Sequence, residues 1–164
     1  MPVTVKIDAG EALQRFSPAG IPVQVRNNLR AAIPPLMRGL TAEIDSNLSA
    51  LKSRTHLQLR GGPQGQMVEN AQGITGRAEM TWTGDPKAAM VPVVLETGAK
   101  PHVIAAKNVS ALHFFWGAVG GWVFFKQVNH PGFPGIHYMQ RAFDSMRSEI
   151  VEKVTGAVQR GVHR

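Results

Sequence analysis

Six histidines and no cysteine set the starting inventory for metal or nucleophilic chemistry in this chain. Without a thiol there is no cysteine nucleophile, no Fe–S cluster and no cysteine zinc site. His130 and His137 flank the segment Pro131 to Gly135, a spacing unlike the i, i+4 pair of a zinc-binding helix, and HExxH is absent. His102 and His113 could join them only through tertiary folding. No serine sits in a GxSxG-type elbow, so no triad can be written. Glu69, Glu79 and Glu96 are the carboxylates of the expected sheet region. Glu96 precedes Thr97-Gly98, where a turn-stabilising hydrogen bond is the reading. The expectation is a protein that is not an enzyme, with no catalytic residue, no metal ligand and no cofactor.

Two other features could bind a ligand. The glycine pairs Gly61-Gly62 and Gly120-Gly121 match neither GxGxxG nor GxxxxGK[ST] and read as flexible connections. Phe114, Phe115, Trp116, Trp122, Phe124 and Phe125, with Lys126 beside them, could stack on bases. Alternate rings of a hairpin are expected to face the helices as core. Strand neighbours point to opposite faces, however, so both faces here are apolar and the second needs a cover, which a further subunit can supply.

The elements that must position these residues follow from periodicity. Val3, Val5 and Ile7 alternate with polar residues as a short strand, followed by a turn at Ala9-Gly10. Pro22 suits the first position of a helix carrying Val25 and Leu29, and Pro34-Pro35 is expected to interrupt it. Met37, Leu40, Ile44, Leu48 and Leu51 step by three and four along one helical face, which ends before Gly61-Gly62-Pro63. Residues 61–73, rich in Gly, Gln and Asn, are expected to form a mobile docking loop in which Gly61, Gly62, Gln64, Gln66 and Gly73 meet a partner. Ile74 to Thr83 keeps a strict period of two, the clearest strand. After a turn at Gly84-Asp85-Pro86, strands are expected at Met90–Leu95, Val103–Ala105, Ala111–Trp116 and Trp122–Val128, the last two joined by the glycine-rich run Gly117–Gly121. Met139, Phe143, Met146, Ile150, Val154 and Ala157 give a C-terminal amphipathic helix. The order indicates one α+β domain over 1–164, a mostly antiparallel sheet packed against a long helix of the N-terminal half and a C-terminal helix.

Composition bounds the rest. At 164 residues the chain can bury roughly 70% of its unfolded surface, enough to fold without disulfides. The longest uncharged stretch, Asn108 to Phe125, contains three glycines, and no run reaches the roughly 20 residues of a membrane span. No signal peptide is read at the N-terminus and no membrane partner is expected. Eighteen Lys and Arg against eleven Asp and Glu give a net charge of +7, which points to something acidic, but the basic residues are dispersed. A basic nucleic-acid-binding module using the hairpin 111–128 is therefore the alternative reading.

Leu95-Glu96-Thr97-Gly98, Lys100-Pro101-His102-Val103-Ile104, Ala111-Leu112-His113-Phe114, Val123-Phe124 and Val128-Asn129-His130-Pro131-Gly132 occur in that order, followed by Phe133 to Met139 and Ala142. Over about residues 93–145 this series resembles the tail-completion (head–tail joining) proteins of tailed bacteriophages. The resemblance implies a small, non-enzymatic α+β virion subunit, assembled in the host cytoplasm. Such a subunit forms a homo-oligomeric ring, usually of six copies, at the head-proximal end of the tail tube. It implies tail-tube or tail-terminator and neck or head-completion proteins as partners, with weak contact to genomic DNA in the lumen. It also marks Leu95, Glu96, Thr97, Gly98, His130, Pro131 and Gly132 as interface or turn residues, to which the two-sided aromatic pattern adds Phe115 and Phe125 as interface residues. Ile74-Thr75-Gly76-Arg77 matches the family only partly, and Pro34-Pro35 is unusual for its long helix.

His130-Pro131-Gly132 supports a structural role independently. A fixed proline φ followed by a glycine free to take positive φ reverses the chain sharply, and the histidine can hydrogen-bond back across the turn.

Overall fold

In the computed structural model, residues 4–8, 21–55, 61–70, 73–82 and 90–162 are described. The turns expected at Ala9-Gly10 and Gly84-Asp85-Pro86 lie outside them. The fold is α+β, and every strand pairing among the described residues is antiparallel. The chain divides into two compact units. One lies within Met1–Glu96 and His137–Arg164, the other within Thr97–Ile136.

The first unit is built on α1, Val23–Thr55, which continues as one helix past Pro34 and Pro35. Each proline removes a backbone donor and costs about 3 kcal/mol in a helix interior. That cost is outweighed by a buried stripe in which Val25, Leu29, Ile33, Leu36, Met37, Leu40, Ile44 and Leu48 are all nearly inaccessible. Burial of one such side chain contributes roughly 1.5–3 kcal/mol, so tertiary packing overrides the local break.

Helix α1 lies on a three-stranded sheet ordered β1-β3-β2, with β1 Thr4–Asp8, β2 Gly61–Asn70 and β3 Gly73–Trp82. β3 confirms the period-two pattern. β2 corrects the mobile loop expected at 61–73: it pairs along its whole length, from Gly61↔Trp82 to Asn70↔Gly73. Its composition is poor in apolar side chains because backbone ladder bonds, not burial, hold an edge strand, and Pro63 is tolerated there for the same reason. The glycines serve the approach of α1. A Cβ on Gly76 would sit 2.5 Å from Met37 Sδ, and one on Gly65 would meet Thr41 and Met37 at 3.1–3.2 Å. Gly61, Gly62, Gln64, Gln66 and Gly73 therefore belong to a hairpin, with Gln64 and Gln66 exposed.

Glu69 pins the end of β2 to α1. Arg30 donates to both its carboxylate oxygens, at 2.7 and 2.8 Å, and Arg26 donates at 3.1 Å. These bonds hold the Glu69 carboxyl below the usual carboxylate range, the Arg30 bond contributing most.

Met90–Thr97 is a helix, α2, rather than the strand expected at Met90–Leu95. A short apolar run does not discriminate between the two, and Pro92 falls in the first turn, where its missing donor has no partner to lose. The C-terminal helix, called α3 here, spans Tyr138–Val162 and is buried at Tyr138, Met139, Ala142, Ile150, Val154 and Ala157. It runs antiparallel to α1: Asn28 donates to the Ala157 carbonyl at 3.1 Å and Asn47 to the Tyr138 carbonyl at 3.2 Å. Among the described residues no helix is long and apolar enough to cross a membrane.

Candidate interaction ribbon

The second unit is a single two-stranded ribbon. Its pairs are β4 Gly98–Ala99 with β9 Phe133–Pro134, β5 His102–Ala105 with β8 Gln127–His130, and β6 Leu112–Trp116 with β7 Gly121–Phe125. One register runs unbroken from Gly98↔Pro134 to Ala105↔Gln127. Beyond it Leu112 faces Phe125, so seven steps on the first strand match two on the second and five extra residues are accommodated. The Ala106 N–H donates to the Lys126 carbonyl at 2.9 Å across this step. The strand expected at Trp122–Val128 is thereby divided into β7 and β8 at Lys126.

Glycines allow the tight places. At the tip, the Val119 and Gly120 N–H groups donate to the Trp116 carbonyl at 3.0 and 2.9 Å, with Gly120 at φ +68°. At the base, Gly98 and Gly132 have φ +80° and +76°. A Cβ on Gly98 would lie 2.5 Å from the Phe133 carbonyl oxygen, and one on Gly132 would collide with the Ala99 carbonyl oxygen.

The histidines act within this geometry. The His130 Nδ1 accepts the Gly132 N–H at 3.0 Å, the back-bond anticipated from His130-Pro131-Gly132. His102 faces His130 in register and stacks on it at 5.0 Å, while its own Nδ1 lies 2.8 Å from the Lys100 carbonyl, an acceptor to which it donates. Among the described residues no group of three His, Asp or Glu side chains gathers as a metal site.

Cross-strand register sorts the aromatics into two faces. Phe114, Trp116 and Phe125 share one, with ring centroids 5.9–6.3 Å apart. His113, Phe115, Trp122 and Phe124 share the other, where His113 stacks flat on Phe124 at 4.3 Å and Phe115 meets Trp122 edge-on at 5.9 Å. The expectation that alternate rings would form core is overturned. Phe124 is 68% exposed, Trp122 65% and Phe115 56%, with Trp116 and Phe125 also exposed. The consequence drawn from neighbouring aromatics, apolar surface on both faces, holds. An open groove of about 450 Å³ follows the first face from Phe114, Trp116 and Phe125 along Val128 to His130 and Pro131.

Of the residues singled out in the sequence, Phe115 and Phe125 are thus on opposite faces, and Gly98, His130, Pro131 and Gly132 shape the ribbon base. Thr97 is exposed beside it, while Leu95 is buried in the first unit. Glu96 does not form the local turn expected of it. Its buried carboxylate accepts the Met139 N–H at 2.8 Å and the Gln140 N–H at 3.1 Å, capping α3. These donors are two of the four that a helix start leaves unpaired, and the negative charge suits the helix dipole there. His113 was missed as a member of the aromatic face, although its place in the β6 alternation carries that signal.

No family model, curated protein or solved structure matches the chain.

Proposed function

We propose that the chain is a non-enzymatic virion subunit of the tail-completion type, forming a homo-oligomeric ring of about six copies that caps the tail tube and joins tail to head around the DNA channel. The observation that carries this reading is the ribbon with exposed aromatic rings on both faces. A two-stranded ribbon is marginally stable alone in water, and contiguous exposed apolar surface marks an interaction site. Both its strands are also edges, with backbone groups free to meet a neighbour. The neighbours fitting this role are further copies, tail-tube or terminator proteins and neck proteins, and the net charge of +7 suits a lumen that passes DNA. Light scattering on the purified chain, with electron microscopy of the particles it forms, tests the reading: rings support it, and a chain that stays monomeric alone and with tail tubes defeats it.

The second reading, a nucleic-acid-binding module, draws on the same exposed rings beside Lys126. It requires tight binding to DNA that survives physiological salt. The ring reading expects weak, sequence-independent binding that falls steeply with salt.

A further inference from the structure

The ribbon base holds two histidines face to face, and their bonds fix where each carries its proton. His102 and His130 are opposite one another in the β5–β8 register and stack at 5.0 Å, with 29° between the ring planes. The Lys100 carbonyl can only accept, so His102 is protonated on Nδ1, and a second proton can enter on Nε2 without disturbing that bond. The Gly132 N–H can only donate, so the His130 Nδ1 carries no proton and the neutral ring holds its proton on Nε2. A second proton on His130 must go to Nδ1, where it displaces the Gly132 N–H.

The ribbon offers the pair no counter-charge. Residues 97–136 contain Lys100, Lys107, Lys126 and His113 as the other titratable side chains, with no Asp, Glu, Arg or Tyr. His113 lies in β6, stacked on Phe124, and the three lysines are exposed. Of the residues lining the groove that ends at His130 and Pro131, His130 is the one that titrates. Glu96, the nearest carboxylate along the chain, has its two oxygens engaged by the Met139 and Gln140 N–H groups. Among the described residues neither histidine makes an ion pair.

We propose that the His102–His130 pair is an acid-sensitive clasp at the base of the ribbon. With both rings neutral, the His130 back-bond holds the turn at Pro131-Gly132 and the stack closes β5 on β8. Protonation of the pair breaks that bond and sets like charges ring against ring, and the base opens. The sign follows from counting protons: the closed base requires an unprotonated His130 Nδ1 and the open base does not, so the open form binds more protons and the closed form gains stability as pH rises. Histidine is the side chain whose charge ordinarily changes between about pH 5 and 8, so the clasp is shut in neutral solution and released in mild acid. A two-stranded ribbon is marginally stable on its own, which leaves it sensitive to the loss of one bond. The clasp acts within one chain and does not depend on the ring-subunit reading.

Hydrogen exchange on the full-length chain tests this at about pH 7.5 and about pH 5, expressed as protection factors so that the intrinsic effect of pH on exchange cancels. In the wild type, protection at Val103 to Ala105, Gln127 to Asn129 and Gly132 should fall by about tenfold or more in acid, while β3 and the buried turns of α1 keep theirs. His130→Asn supplies an Oδ1 that can accept the N–H two residues on, as in an Asx turn, and does not titrate. Its protection in the same strands should agree within about twofold at the two pH values. Equal wild-type protection at both, or an acid loss in His130→Asn as large as that of the wild type, would overturn the clasp. A loss confined to β6 and β7 would assign the response to His113 and overturn it as well. If His130→Asn does not close its ribbon in neutral solution, nitrogen NMR of the wild-type histidine rings decides. His130 should carry its proton on Nε2 at neutral pH, and the Gly132 amide should lose protection in step with the charging of that ring; a Gly132 amide that stays protected beside a fully charged His130 would end the proposal.

Discussion

The Glu96 carboxylate accepts the Met139 backbone N–H at 2.8 Å across a sequence separation of 43 residues, tying the end of α2 to the start of α3. The second oxygen takes the Gln140 N–H, so both acceptors of a buried charge are used on one helix end. Replacing Glu96 by Ala leaves the buried Met139 N–H and the part-buried Gln140 N–H without this partner and removes a charge from the positive end of α3. The expected loss is about 2–3 kcal/mol. Glu96→Gln keeps one acceptor but turns an amide N–H₂ toward a donor, and should fall between the two. Urea unfolding followed by circular dichroism measures both, and an unchanged midpoint in Glu96→Ala would contradict the cap.

Next to this cap stands the only tyrosine of the chain, Tyr138, whose hydroxyl donates to the Pro92 carbonyl at 3.3 Å. Burial first, and then the negative charge of Glu96, raise its phenol above the ordinary value of 10.0. A folded-state value above the unfolded one means that this group's stabilisation is complete below pH about 10 and is lost as pH rises toward the folded value. Tyrosinate absorbance should therefore appear together with unfolding rather than before it. Tyr138→Phe should cost about 1 kcal/mol near neutrality and lessen the alkaline sensitivity. A phenol that titrates near its ordinary value while the circular dichroism stays native would contradict this account.

Glu69 provides the opposite case at acid pH. Its depressed folded value means that the stabilisation is present above the ordinary carboxylate range and fades as pH falls through the folded value. Hydrogen exchange in β2 should accelerate on acidification before the buried stripe of α1 is affected. Glu69→Gln should show the faster exchange already at neutral pH, with little further dependence on acid.

What the sequence made legible was what side-chain periodicity encodes. The steps from Met37 to Leu48, the alternation from Ile74 to Trp82 and the hairpin around Gly117–Gly121 each repeat a pattern that one face must bury or one turn must satisfy. β2 left no such trace, because Gln64 and Gln66 are held by backbone ladder bonds to β3 that carry no side-chain signature. The helical state of Met90–Thr97 was equally silent, its apolar run being compatible with either period. Glu96 was misread for a different reason: its partners are distant in sequence, and a carboxylate beside Thr97-Gly98 shows only its local options. In the ribbon, the aromatics and the His130 turn were visible. Their exposure was not, since it depends on whether the chain supplies a cover.

The ribbon base tests how far glycine is required. Gly132 combines φ +76° with a Cβ direction aimed at the Ala99 carbonyl oxygen, whereas a Cβ on Gly117 would meet nothing within 4 Å. Gly132→Ala must bear the left-handed backbone penalty of about 1–2 kcal/mol and also push Ala99 away, which strains the β4–β9 pairing and the His130 back-bond. Hydrogen exchange at Val103 to Ala105 and Gln127 to Asn129 should rise at least tenfold in Gly132→Ala, while β3 and the buried turns of α1 stay as protected as in the wild type. Gly117→Ala should leave exchange in those strands within about twofold of the wild type, a surface change worth no more than about 0.5 kcal/mol. Equal protection in the two variants would mean that the turn at His130-Pro131-Gly132 does not hold the ribbon base, and that its register is set from the aromatic end instead.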